Sequence, residues 1–377
     1  MDQATLIDEN NGIEYSIEEP RWCSDHKNPL SVSKIKGICS DQIDLKERSI
    51  WRYKESFPIS ISTKVSLGEG CTPLVCSSFR GCDVLFKLEW FAPTGSFKDR
   101  GASLMMSLLK QQNINEVVED SSGNGGAAVA AYGAAAGIKV NIVAPESTSA
   151  AKIAQIKSYG AKIHLVPGTR EETEKAALKM ANTIFYASHN WHPFFLQGTK
   201  TLGYEIWEDL NFKVPDNVII PTGAGSNILG CDMAFRELKA LGKIKKLPRL
   251  FAAQPKNCSP IDVSFRGIKN ENKQNVYTPT IAEGTAIKTP IRLKAIVAAL
   301  KRSFGGTIAI EENDIAQATL DLAKKGLYAE PTCATAAAGF NKLLGEGTIK
   351  SDEKTVVVLT GTGLKVTNFY ESALGLH

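Results

Sequence analysis

Four stretches of the chain set chemically active side chains inside turns shaped by glycine and proline. The first reads Pro93-Thr94-Gly95-Ser96-Phe97-Lys98-Asp99-Arg100-Gly101 and leads into a helical pattern. A lysine in a helix's first turn meets the positive end of the macrodipole. Once buried there it gives up its proton more easily, and a neutral amine is what Schiff-base chemistry requires. An isolated lysine at a helix start is usually a solvated surface residue, but here the rigid Pro-Thr-Gly approach and the Asp99/Arg100 pair favour the chemical reading. The second stretch, Ser121-Ser122-Gly123-Asn124-Gly125-Gly126, opens another helix with backbone N–H groups bared by its glycines. Such a turn suits a carboxylate or phosphate, and Asn124 can donate to a phenolate-like oxygen. A tight turn with close helix packing accounts for it equally well. The third, Pro221-Thr222-Gly223-Ala224-Gly225-Ser226-Asn227, has the form of a phosphate cradle without a P-loop lysine. In the fourth, Thr360-Gly361-Thr362-Gly363, a hydroxyl stands at the end of an aliphatic run.

These turns must be held by something, and the chain supplies a regular alternation. Short apolar runs fall at 84–88, 117–118, 139–143, 162–166, 184–186, 217–220, 250–253, 307–310 and 355–359. Between them lie stretches of helical period at 102–110, 127–136, 172–181, 202–210, 229–240, 291–302 and 315–325. Strand–helix alternation predicts an α/β fold with parallel or mixed sheets covered by helices on both faces. Ligands of such sheets bind beyond the carboxyl ends of the strands, where the four turns sit. Residues 1–57 lack the alternation and read as an extension draped over the core, and 270–279 reads as a polar surface loop.

Composition narrows the function class. With 377 residues, 43% apolar and 22% charged, the chain can bury a large core, so disordered and fibrous classes drop out. The length suggests two domains. A net charge of +4 gives no reason to expect nucleic acid. The uncharged stretch 121–138 holds seven Ala and five Gly and is too weakly apolar to span a membrane. The acidic N-terminal segment has no secretory pattern, and eight scattered cysteines read as reduced thiols of a cytoplasmic protein. Cys23, His26 and Cys39 are too few for a closed zinc site, so no metal is expected.

Taken together, the turns resemble one family. Pro93 to Gly101 is similar to the lysine motif of the threonine synthase family, among the fold-type II pyridoxal-phosphate enzymes (tryptophan synthase beta-like). Trp51-Arg52-Tyr53, Gly68-Glu69-Gly70-Cys71-Thr72-Pro73-Leu74 and Glu330-Pro331 agree in order and spacing, and the resemblance covers about residues 50–370. It implies a large domain (58–95 and 195–377) binding the cofactor phosphate and a small domain (96–194) carrying the lysine and the Asn/Gly loop. It implies pyridoxal 5'-phosphate as cofactor, with Lys98 carrying it and moving the substrate's protons. Asn124 would meet its ring hydroxyl, Thr360 its pyridine nitrogen, and Gly223, Ala224, Gly225, Ser226 and Asn227 its phosphate. Ser122, Gly123, Gly125 and Gly126 would bind the carboxylate of a small amino-acid substrate, in a homodimeric enzyme.

One segment departs from the pattern. Threonine synthases resemble one another in Asn-Ser-x-Asn-Pro-x-Arg-x-Glu-Gly-Gln-Lys-Thr, whose Asn and Arg help hold the substrate's phosphate. Here the segment is His189-Asn190-Trp191-His192-Pro193-Phe194-Phe195-Leu196-Gln197-Gly198-Thr199-Lys200-Thr201, so His192 replaces the Asn and Phe195 the Arg. A planar bidentate fork is lost, and a cationic His192 is expected to take over part of its role. His189 is a second candidate. Three readings stay open: a threonine-synthase-like lyase acting on O-phospho-L-homoserine, an enzyme of β-elimination or β-replacement on serine, threonine, O-phosphoserine or cysteine, and a non-catalytic relative. Intact Lys98, Asn124 and Thr360 argue against the last.

Thr360 carries a prediction of its own. A neutral hydroxyl does not stabilise a protonated pyridine, so the ring is a weaker electron sink and expulsion of a leaving group is favoured over aminotransfer. Thr360→Asp should therefore raise transamination products relative to elimination products. Unchanged partitioning with cofactor still bound would remove Thr360 from the ring nitrogen.

Overall fold

Why the aliphatic runs become strands is visible in which side of each residue is buried. The computed structural model of the chain describes residues 4–33, 36–148, 150–268 and 277–376. Most of the expected polar loop at 270–279 lies outside them. Among the described residues the strands form three sheets. β1 (Thr5–Asp8), β2 (Ile13–Ser16) and β3 (Ser31–Val32) pair antiparallel in the N-terminal extension, in the order β2-β1-β3. β4 (Leu74–Phe79) and β5 (Cys82–Leu88) form a hairpin whose two turn residues, Arg80 and Gly81, both have positive φ, as a twist-matched two-residue turn demands. β6 (Glu116–Glu119), β7 (Lys139–Pro145), β8 (Lys162–Val166) and β9 (Phe185–Tyr186) make a parallel sheet ordered β8-β7-β6-β9. β10 (Asn217–Pro221), β11 (Arg249–Pro255), β12 (Gly306–Ile310) and β13 (Thr355–Leu359) join the hairpin in a six-stranded sheet ordered β12-β11-β10-β13-β5-β4. Only β4 runs antiparallel there. The four-stranded sheet falls wholly within 96–194, the six-stranded sheet within 58–95 and 195–377.

Helices α1 (Lys98–Gln111), α2 (Asn124–Ala136), α3 (Ala150–Ser158), α4 (Arg170–Met180), α5 (Pro193–Thr199) and α6 (Thr201–Asp209) precede β10. α7 (Ser226–Ala240), α8 (Pro260–Phe265), α9 (Leu293–Arg302), α10 (Glu312–Ala323), α11 (Pro331–Gly345) and α12 (Thr367–Leu374) follow it. Alternate residues of the central strands serve opposite cores. Ile219, Val357 and Leu359 pack with α10 and α11, whereas Val218, Ile220, Val356 and Val358 pack with α6, α7 and α9. Strands buried on both faces read as continuous aliphatic runs, which is why they stood out in the sequence. The extension is more ordered than its sequence suggested. Leu6, Ile17, Leu30, Trp51 and Phe57 pack on Leu104 and Leu108 of α1, and Trp51 Nε1 donates to Ser103 Oγ at 3.0 Å. Its strands are too short to show a periodic signal.

α1 is tied to the larger sheet by buried charge. Arg100 donates through Nε and Nη2 to Glu89, beyond the end of β5, at 2.7 Å each. It reaches Glu205 of α6 at 3.0 and 2.9 Å. Glu205 also accepts from the Cys71 and Thr72 amides and from Lys87 on β5. Next to Arg100, helices α1 and α5 nearly touch: a Cβ at Gly198 would lie 2.2 Å from the Arg100 carbonyl oxygen.

Removing Arg100 takes from Glu89 its ion-pair partner and leaves Glu205 with Lys87 and the two amides, and uncovering one buried charge typically costs about 3–5 kcal/mol. Arg100→Met should lower the urea midpoint accordingly. An unfolding curve superimposable on wild type would show that the network is not structural.

Candidate active site

The turns after β5, β6, β10 and β13 open toward one cavity of about 580 Å³. It lies where the order of the larger sheet reverses, between β10 and β13, the position at which open α/β sheets leave a crevice.

Lys98, the first residue of α1, lines this cavity. Its turn is braced by Asp99, whose carboxylate accepts from the Thr94 amide at 2.7 Å and from the Thr94 hydroxyl. It is also stitched to the end of β13: the Phe97 amide donates to the Thr360 carbonyl at 3.1 Å and the Thr362 amide to the Gly95 carbonyl at 3.2 Å. Lys98 is thereby fixed relative to Thr360. Its Nζ lies 4.9 Å from the Phe97 ring centre and 5.7 Å from that of Phe195. Lys98 is half-buried and lines the cavity wall. Desolvation brings the ammonium down to about 7, with Glu119 pulling the other way and Arg170 adding to the drop.

Asn124 opens α2 between two charged groups. Its Nδ2 donates to Glu330 at 3.1 Å, and Lys365 Nζ donates to its Oδ1 at 2.9 Å. Across the cavity, Gly225 caps α7 with φ +85°, and a Cβ there would lie 2.3 Å from Ile296 Cδ1. Only glycine meets both conditions. Both polar atoms of the Asn227 side chain are buried without a hydrogen-bond partner. An orphaned amide at a glycine-built helix start fits a phosphate. Thr360 is buried and lines the wall. A weakly basic lysine, an amide, a neutral hydroxyl and this cradle suit the phosphorylated pyridine aldehyde that the resemblance implies.

Not every expected residue reaches the cavity. Lys98, Asn124, Thr360 and the cradle Gly223, Ala224, Gly225, Ser226 and Asn227 do, as do Ser122, Gly123 and Gly125. Gly126 lies beneath the turn instead, where a Cβ would collide with the Ser121 carbonyl oxygen at 1.7 Å. His192 is also elsewhere. It caps α5, its Nδ1 accepting from the Phe194 amide at 3.2 Å, and burial, with Arg292 nearby, pushes it down to about 3. A cationic His192 on a substrate phosphate does not fit this placement. Phe195, in the position of the family's arginine, is fully buried against Gly101 and Lys98.

His189 faces the cavity in place of His192. Glu119, the last residue of β6, accepts from its amide at 2.9 Å and sits 2.8 Å from Nδ1. Burial and the neighbouring Lys98 hold the imidazole well below its ordinary value, and burial raises Glu119 to about 7. Glu119, Lys152, Arg170 and Lys365 were missed in the sequence. Glu119 ends a strand that also begins with an acid, Glu116, so its type alone did not mark it, whereas Lys365 lies just beyond the Thr360 turn. Nothing local distinguishes Lys152 or Arg170.

Comparisons with known proteins agree with this geometry. Residues 65–361 match the family described as "Pyridoxal-phosphate dependent enzyme". The chain is 35% identical to a threonine synthase of Methanocaldococcus jannaschii over 87% of its own length and 83% of that protein. It is 33% identical to one of Methanosarcina acetivorans, covering 94% and 90%. Among solved structures, a processed threonine deaminase isoform of Solanum lycopersicum superposes with a TM-score of 0.70 at 23% identity, covering 91% of each chain. That last likeness speaks to fold alone.

Lysine chemistry here should follow the neutral amine. When cofactor is added back to stripped protein, the rate of regaining the lysine-bound visible band should rise with pH and level off above about 7. An ordinary lysine, at about 10.4, would keep gaining about tenfold per pH unit well beyond that. Lys98→Ala should abolish the band, and a band that survives would place the cofactor on another lysine.

Proposed function

The chain belongs to the pyridoxal-phosphate dependent enzymes and is a lyase of the threonine-synthase type, and on that footing we propose that it converts O-phospho-L-homoserine and water into L-threonine and phosphate. One observation carries the reading: a single cavity joins a near-neutral lysine, an anion cradle, a helix start for a carboxylate and a neutral hydroxyl. When bound, the cofactor supplies the electron sink that lets charge build on the substrate carbons. Lys98 Nζ, about half neutral near pH 7, takes the proton from the substrate's α-carbon and returns protons later in the sequence. Ser122, Gly123 and Gly125 receive the carboxylate at the start of α2, where the helix dipole favours negative charge. Thr360 would meet the ring nitrogen with a neutral hydroxyl, which offers a protonated pyridine no countercharge. His189, neutral and fixed by Glu119, stands beside Lys98 without competing for its proton.

In this reading residues 58–95 and 195–377 hold the cofactor phosphate, residues 96–194 bring Lys98 and the Asn124 loop, and residues 1–57 form an extension. All eight cysteines are free thiols, which supports a reducing, cytoplasmic setting. Among the described residues no helix is long and apolar enough to cross a membrane. Family resemblance supports a homodimer.

Phe195 favours a second reading. Buried beneath Lys98, it offers a substrate phosphate nothing, and β-elimination or replacement on serine, threonine or cysteine needs no phosphate clamp. Purified enzyme should release phosphate and form threonine from O-phospho-L-homoserine at a kcat/KM at least about tenfold above its rate on serine, threonine, O-phosphoserine or cysteine. Ammonia and oxo-acid from the unphosphorylated amino acids, with no threonine formed, would put the second reading in its place.

A further inference from the structure

Building on the phosphate-ester substrate proposed above, we propose that Arg170 recognises the substrate's side-chain phosphate and so replaces the guanidinium that Phe195 lacks. Four cations line the cavity: Lys98, Lys152, Arg170 and Lys365. Three are committed. Lys98 serves the cofactor, Lys365 donates to Asn124 and faces Glu330, and Lys152 pairs with Glu283. Arg170 makes no ion pair within 4 Å among the described residues, although Asp120 and Glu174 lie within its field. The anions can be matched in the same way. The cofactor phosphate has the α7 cradle and the substrate carboxylate has the start of α2, which leaves a third anion without a partner until Arg170 is considered.

Position supports the match. Arg170 is exposed at the cavity mouth and is the first residue of α4, an 11-residue helix whose N-cap Thr169 makes no side-chain cap. The dipole at this helix start is already met by Glu171 and Glu172 in the first turn, so the case for Arg170 rests on its place in the cavity wall. Arg170 and Asn190 both line the main cavity and also a side chamber of about 150 Å³. Arg170 shares the cavity wall with Lys98 and His189, and the side chamber with Asp120, Glu171 and Glu174, so a phosphate fits on the main-cavity side of the guanidinium, away from those carboxylates. Its planar fork matches two phosphate oxygens, as a lysine's point charge cannot.

Inorganic phosphate is the probe, measured by calorimetry on the holoenzyme, whose cofactor cradle is filled. Wild type should bind it. Arg170→Met should weaken that binding, and raise KM for O-phospho-L-homoserine, by about ten- to a hundredfold, with Arg170→Lys between the two and the visible cofactor band retained in both. Unchanged phosphate binding in Arg170→Met, or no binding to wild type at millimolar phosphate, would overturn the assignment. Loss of the cofactor band would overturn it too, by moving Arg170 to the cofactor's own phosphate. If phosphate binding depends on Arg170 but no threonine forms from O-phospho-L-homoserine, the assignment stands and the substrate reading falls. Threonine formation indifferent to Arg170 gives the reverse.

Discussion

Arg100 carries a full charge at the centre of the protein, and Glu89 and Glu205 make that possible. Burial works against its charge, but the two carboxylates outweigh it and hold the guanidinium above its ordinary value, while Glu205 is held well below its own. Because one planar group binds both partners, the first turn of α1, the end of β5 and α6 cannot shift independently. The Cys71 and Thr72 amides, bonded to Glu205, bring the Gly-Glu-Gly-Cys-Thr segment into the same knot. A buried network of this kind adds little stability over well-packed apolar groups. Its consequence is positional: Lys98, two residues earlier on the same helix turn, inherits a fixed location.

The two cations of that turn meet opposite fates. Arg100 keeps its charge because carboxylates touch it, whereas Lys98 has no carboxylate bonded to it and its desolvation outweighs the pull of Glu119 and Glu330. Phe195 stands close to that lysine, its ring centre 5.7 Å from Nζ. A guanidinium at that position would sit in the packed space over Gly101, where ring carbons already lie 2.6 Å from the place a Cβ would take. The residue in the position of the family's arginine is thus spent on packing beneath Lys98.

The histidines show how a turn decides function. His189 and His192 are three residues apart, after β9 and before α5. His189 sits at the strand's end, close against Gly125 and bonded to Glu119, and so enters the cavity. His192 has already entered the helix cap, and its ring nitrogen is used by the Phe194 amide. Spacing in the chain cannot separate these roles, because both residues lie in one short connection and only its path through space turns one inward.

What the sequence determined was local. Buried strands had to be runs of aliphatics and helix starts needed glycine and small polar residues, so the α/β class was legible, as was the gathering of Lys98, Asn124, the Gly223–Asn227 turn and Thr360 at the ends of strands, where they line one cavity. The fold of the extension was not, since strands of two to four residues leave no period to read. Nor were Glu119, Arg170 and Lys365, whose neighbours in the chain are unremarkable and whose partners lie on other elements. Which charges survive burial, which histidine is neutral and which arginine is left without a partner are properties of distance and dielectric. Those quantities exist only once separate strands and helices have been brought to one cavity.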